Sequence, residues 1–193
     1  ATPTNGTLTV STGGTNVTLM ADANIGTLTT SVATTTTFNL NGFTLGLSLA
    51  TPVSNTGVIT ANAATSTIKF NGTVAQTFTL GGTYTGSLIS NMVVDNSFST
   101  SGLTVSTTNI NVGSLTINAS RFMTLNGVNI NVTKDVDNNG TVTTSIASSA
   151  ITMNGSLAQT IKSSGATGVW TTGTAGRLLN LVINTAAGVS ITT

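Results

Sequence analysis

The chain has 193 residues and a net charge of +1, with 5% of residues charged, against roughly 25% in an ordinary globular protein. It contains no His, Cys or Glu, but 44 Thr, 21 Asn, 20 Ser and 21 Gly. This inventory excludes a disulfide framework and thiolate-ligated zinc, and it leaves no charged footprint for nucleic acid or an acidic membrane. No apolar run reaches the roughly 18 residues of a spanning helix, so no membrane insertion is expected. Disorder is excluded too, because hydrophobic residues make up 38% of the chain and alternate with polar ones.

In chain order the alternation is clear. Thr7-Leu8-Thr9-Val10 and Asn16-Val17-Thr18-Leu19 come first, then Ser114-Leu115-Thr116-Ile117, Asn129-Ile130-Asn131-Val132 and the final run from Val189 to Thr193. Apolar residues at period two with Thr or Asn between them predict half-buried strands. No window carries the helical spacing. Six Asn-Gly pairs (Asn5-Gly6, Asn41-Gly42, Asn71-Gly72, Asn126-Gly127, Asn139-Gly140, Asn154-Gly155) punctuate the strands. Both residues tolerate positive φ, so each pair permits a sharp corner. The N-terminal residues lack the basic and apolar regions of a signal peptide, and the chain reads as a mature protein or an excised fragment.

Internal repetition organises the sequence. Ile68-Lys69-Phe70-Asn71-Gly72-Thr73-Val74-Ala75-Gln76-Thr77-Phe78 aligns without gaps on Ile151-Thr152-Met153-Asn154-Gly155-Ser156-Leu157-Ala158-Gln159-Thr160-Ile161. Leu40 to Leu45 aligns on Leu125 to Ile130, and Asn91 to Asp95 on Asn180 to Asn184. The spacing drifts through the Gly/Thr/Ser-rich stretches Leu80 to Ser87 and Ser163 to Gly176, where loops accept insertions. Two related halves are expected, residues 1–103 and 104–193, within one continuous structure. A parallel β-solenoid is the expected architecture. Its stacked coils protect their own edges, so uncharged Thr and Asn faces suffice. About eight or nine coils of about 20 residues would give a rod on the order of 40 Å long. The alternative is an antiparallel β-sandwich in which Asn-Gly closes type I′ hairpins.

The cassette "ITMNGSLAQTI … LLNLVINTAAGVSITT", preceded by "MTLNGVNINV" and "VDNNGTVTTS", resembles repeats in very large secreted surface proteins of Bacteroidetes. Leu115 to Thr193 follows the order of those repeats; Gly46 to Ala64 departs from it, and residues 1–35 match in style alone. The resemblance implies export by the type IX secretion route, a place outside the cell or on its surface, and a role in adhesins, gliding or filaments. It implies nothing about a ligand.

Catalysis is not expected. General acid–base chemistry needs a group poised near neutrality, and the chain offers Asp22, Asp95, Asp135 and Asp137, with Arg121, Lys134 and Arg177 scattered. Asp135-Val136-Asp137-Asn138-Asn139-Gly140 matches the start of a calcium loop, with oxygen ligands at positions 1, 3 and 5 and Gly at 6. Asp135, Asp137 and Asn139 are therefore the candidate ligands for calcium, the one cofactor suggested. Position 12 is Ile146 where such a loop needs Glu, and a plain polar corner is the competing reading, as at Ser54-Asn55-Thr56-Gly57. Tyr84 and Trp170 lie at comparable points of the two halves. Either could stack on a surface glycan, cover the end of an apolar core or make a subunit contact. The Thr-x-Thr runs could order ice-like water if Thr recurs at one place in successive coils, but no single register is visible in the sequence. The reading that follows is a non-catalytic structural or adhesive module. Its partners are further copies or neighbouring repeats, because exposed coil ends invite pairing. An ice- or glycan-binding solenoid is the alternative.

Overall fold

A computed structural model describes residues 6–31, 35–106, 109–163, 169–170 and 180–192. No helix occurs among them. The chain winds through about seven turns of a β-solenoid, laying one strand on each of three faces per turn. The first face holds β1 (Thr7–Val10), β4 (Thr27–Thr30) and β7 (Val53–Asn55), and after a break β10 (Gln76–Phe78), β12 (Leu103–Val105), β14 (Phe122–Leu125), β17 (Thr141–Thr144) and β20 (Val169–Trp170). The second holds β2 (Asn16–Thr18), β5 (Thr37–Asn39), β8 (Val58–Ala61), β15 (Asn129–Val132), β18 (Ala150–Met153) and β21 (Asn180–Ile183). The third holds β3 (Ala23–Ile25), β6 (Thr44–Leu47), β9 (Thr67–Phe70), β16 (Val136–Asn138), β19 (Gln159–Lys162) and β22 (Val189–Thr192). Two long strands, β11 (Thr83–Val94) and β13 (Ile110–Ile117), each run across the second and third faces.

Every strand pair among the described residues is parallel. This excludes the antiparallel sandwich, because Asn-Gly joins adjacent faces of one turn instead of folding a strand back on itself. The turns are fewer and longer than 20-residue coils would give. Thr7 pairs with Thr27, but Leu28 pairs with Val53 and Ala150 with Asn180. At roughly 4.8 Å per step the stack is about 35 Å long.

Alternation produces the core directly. In a strand, successive side chains point to opposite sides, and the pattern half-buried, buried, half-buried, buried recurs in β4, β8, β9, β14, β15 and β17. Inward residues stack in register down each face. On the third face the column is Ala23, Leu45, Ile68, Met92, Leu115, Val136, Ile161 and Ile191. Five of these, Leu45, Ile68, Met92, Leu115 and Val136, are at most 1% exposed. A one-residue slip in any turn would swap this column for the outward Gly46-Lys69-Val93-Thr116-Asp137 column. The core is a single cluster running through all the turns.

The repeated Asn-Gly pairs do two different jobs. Gly42 and Gly127 have φ of +86° and +74°, the left-handed region that Gly enters at low cost. Gly72 and Gly155 have no such φ. They are needed for space, since a Cβ would lie 2.6 Å from the Ser48 carbonyl oxygen and 2.3 Å from that of Thr133. Both contacts are with the turn below. At each close approach a buried Gln locks the corner. Gln76 Oε1 accepts from the Gly72 N–H (3.1 Å), while its Nε2 donates to the carbonyls of Leu47 (2.9 Å) and Leu49 (3.0 Å). Gln159 repeats this with the Gly155 N–H (2.8 Å) and the carbonyls of Val132 (2.9 Å) and Lys134.

Two further stations repeat in the same way. The Gly42 N–H donates to Ser66 Oγ and the Gly127 N–H to Ser149 Oγ, both at 2.9 Å. Asn91 Nδ2 donates to the Ala64 and Ser66 carbonyls, and Asn180 Nδ2 to those of Ala147 and Ser149. The copies do not lie on the same faces. Ile68 is in β9 on the third face, whereas Ile151 is in β18 on the second. The corner after β5 leads to the third face, and its copy after β14 leads to the second. The second set of stations is therefore rotated back by one face, and parallel pairing runs through residue 103 without interruption from β11 to β13. Replacing Gln159 by Leu keeps the volume but strands the Gly155 N–H and the Lys134 carbonyl, while the Val132 carbonyl keeps the Asn154 N–H. It should lower unfolding free energy by about 3 kcal/mol, read as a fall in the denaturant midpoint; Thr160→Val on the same strand serves as the control.

Candidate functional site

The calcium-like segment forms a corner and the strand that follows it. Asp135 precedes β16, and its Oδ1 accepts the Thr160 N–H of the next turn at 2.7 Å. Asp137 faces outward in register between Thr116 and Lys162. Its Oδ1 accepts from Asn139 Nδ2 at 3.0 Å, and the Gly140 N–H donates to Asn138 Oδ1 at 3.1 Å. One carboxylate is thus tied to the backbone above it, and the other has a Lys as its lateral neighbour. Gly140 explains the last residue of the motif in packing terms, since a Cβ there would meet the Arg121 carbonyl oxygen at 2.4 Å. Among the described residues no three acidic side chains gather as a cation-holding group.

Charges that are scattered in the sequence meet elsewhere. Lys69 Nζ lies 2.6 Å from Asp95 Oδ2, and Arg121 Nε lies 3.3 Å from Asp95 Oδ1. Asn118 Nδ2 also donates to that oxygen, at 3.0 Å. Asp95 sits 26 residues from each cation (Lys69, Arg121), about one turn on either side, so a single carboxylate clips successive turns. Burial pushes its pKa up. The hydrogen bonds from Lys69 and Asn118, the Lys69 charge and the Arg121 hydrogen bond together outweigh burial and hold the carboxyl below its ordinary value.

Tyr84 is 6% exposed and points inward, in register with Ile59. Its hydroxyl has no hydrogen-bond partner, and burial pushes its pKa well above the ordinary phenol value. Beside it β11 bulges. Tyr84 pairs with Ile59 and Ile89 with Ala61, so the extra residues loop outward through Gly86 and Ser87, whose φ values are +67° and +52°. A pocket of about 390 Å³ lies along this bulge, bounded by Leu80, Leu88, Ile110, Asn109 and Asn111, with no charged side chain in its lining. Trp170 is half-buried in β20, in register with inward-facing Val142, and packs against the core. Neither ring is an exposed platform.

The first face supplies the threonine register that the sequence hides. Thr77, Thr104, Thr124 and Thr143 are consecutive partners in four stacked strands, and Thr9, Thr29 and Ser54 form a second column below the break. No Asp, Lys or Arg occurs in any strand of this face. The charges of Lys69, Asp137 and Lys162 lie on the third face. No protein-family model, curated protein or solved structure matches the chain.

The Asp95 clip predicts an acid-limb effect. A carboxyl whose pKa is lower folded than unfolded stabilises the fold above the unfolded value of about 4, and that stabilisation is lost as pH falls through the lower folded value. Because the partners are partly exposed, the effect is at most about 1 kcal/mol. Asp95→Asn should lower the melting temperature at pH 7 and narrow its gap from wild type as pH falls below 4, followed by circular dichroism melts across pH.

Proposed function

We propose that this chain is a non-catalytic structural module, a stiff β-solenoid segment of an extracellular or cell-surface assembly that acts through length and end-to-end contact. The observation that carries this reading is the open end of the core at the last described turn. Leu181, Ile183 and Ile191 continue the inward columns of Ile151, Met153 and Ile161, yet they are 41%, 54% and 63% exposed. The residues they stack on are nearly or wholly buried. These side chains have the direction and register of core residues, and among the described residues no turn covers them.

The occupant that fits is a further turn of the same kind, supplied by a neighbouring repeat or by the first turn of a second copy. Its β1, β2 and β3 present an unpaired strand edge over Leu8, Val17 and Ala23, which are partly buried against the same core. Ala23 heads the inward column that Ile191 ends. A head-to-tail contact therefore extends an interface already repeated inside the molecule, and because it is heterologous it generates rods or filaments. The likeness of the cassette to surface-protein repeats and the lack of His, Cys and Glu support an adhesive or filament role, with type IX export as the route that this likeness implies.

Sedimentation velocity across concentration, paired with negative-stain electron microscopy, tests the reading. Wild type should form end-to-end rods as concentration rises, and Ile183→Lys with Ile191→Lys should stay a folded monomer. Compact wild-type monomers at every concentration would leave the open end to some other neighbour and remove self-association.

A further inference from the structure

We infer that the uncharged first face is a binding surface for an ordered lattice of water, the surface of ice. Thr77, Thr104, Thr124 and Thr143 stand in one column, each paired with the next across adjacent parallel strands. The backbone ladder sets their spacing at about 4.8 Å per strand. Each carries a hydroxyl and a methyl on the outward side of its strand. Waters held by such a column inherit that repeat, which is close to the oxygen repeat of hexagonal ice.

What separates this face from its neighbours is the unbroken register of threonines in strands that carry no charge. On the second face two outward pairs are bonded to one another along the stack. Thr60 Oγ1 lies 2.7 Å from Thr85 Oγ1, and Asn131 Nδ2 donates to Asn111 Oδ1 at 2.9 Å. Lys69 of the third face is paired with Asp95, and Asp95 with Arg121, at the corner that leads into β14. Among the described residues the hydroxyls of Thr77, Thr104, Thr124 and Thr143 make no hydrogen bond, so their bonding capacity faces outward. Thr9, Thr29 and Ser54, in the second column, share this property. A charge would orient water radially and break a lattice, and the strands of this face have none. The columns also lack the Arg, Tyr or Trp anchors on which protein and sugar ligands are usually seated.

The inference is independent of end-to-end association, since it needs a face and not an end. Ice recrystallisation inhibition and thermal hysteresis test it on the whole chain. Wild type should slow recrystallisation. The double variant Thr104→Lys/Thr124→Lys should lose that activity while its circular dichroism melt stays unchanged. Thr152→Lys, outward on the second face in register with Asn131, should retain full activity. Absence of inhibition by wild type, or equal inhibition by the Thr104→Lys/Thr124→Lys variant, would overturn it.

Discussion

Each strand of this protein finds its backbone hydrogen-bond partners one full turn away along the chain. That constraint governs the rest. A parallel neighbour fixes register absolutely, because a slip of one residue exchanges the inward and outward sides. Every turn must return at the same phase however many residues its corners contain. The inward columns show that it does. Leu45, Ile68, Met92 and Leu115 stay aligned although the separations between them differ.

The corners do the phasing. Buried polar groups are costly unless paired, and here the pairs are also the register marks. Gln76 and Gln159 join the Gly of their own corner to two carbonyls of the turn below. Ser66 and Ser149 receive the N–H of an Asn-Gly corner from the turn below, and Asn91 and Asn180 bind the loop leading into the following strand. These stations repeat with the same chemistry on a face one step back. The repeating unit is therefore a corner and its stitch, and it works wherever on the triangular path it falls. This explains how copies can drift in spacing without breaking the stack.

Much of the fold is legible in the residues. Period-two alternation with β-branched outward positions marks the strands, and the Ala-Gln cassette marks the repeated corners. Asn-Gly is ambiguous because one dipeptide serves two needs. Gly42 and Gly127 supply a left-handed φ, while Gly72, Gly140 and Gly155 supply the absence of a Cβ; the surrounding letters do not separate these. The Thr77-Thr104-Thr124-Thr143 column is hidden for a different reason. Its steps are unequal, so no fixed period reveals it. The Asp95 clip has the opposite character, with both cations 26 residues away (Lys69, Arg121), a signal that emerges once the turn length is known. Tyr84 faces inward through its register with Ile59, and the bulge that follows it is marked in the sequence by little more than Gly86.

Three surfaces follow from one winding: a third face that carries charges, a second face with the bonded pairs Thr60–Thr85 and Asn131–Asn111, and a first face of uncharged strands with a threonine column. The last described turn adds inward columns whose side chains are exposed. All of these rest on the parallel register. Nuclear Overhauser contacts on uniformly labelled protein test that register most directly. The account predicts contacts between the Thr104 and Thr124 backbones and between those of Thr124 and Thr143, residues far apart in the chain and partners in the stack. Strand contacts confined to residues joined by a short Asn-Gly turn, as hairpins produce, would contradict it.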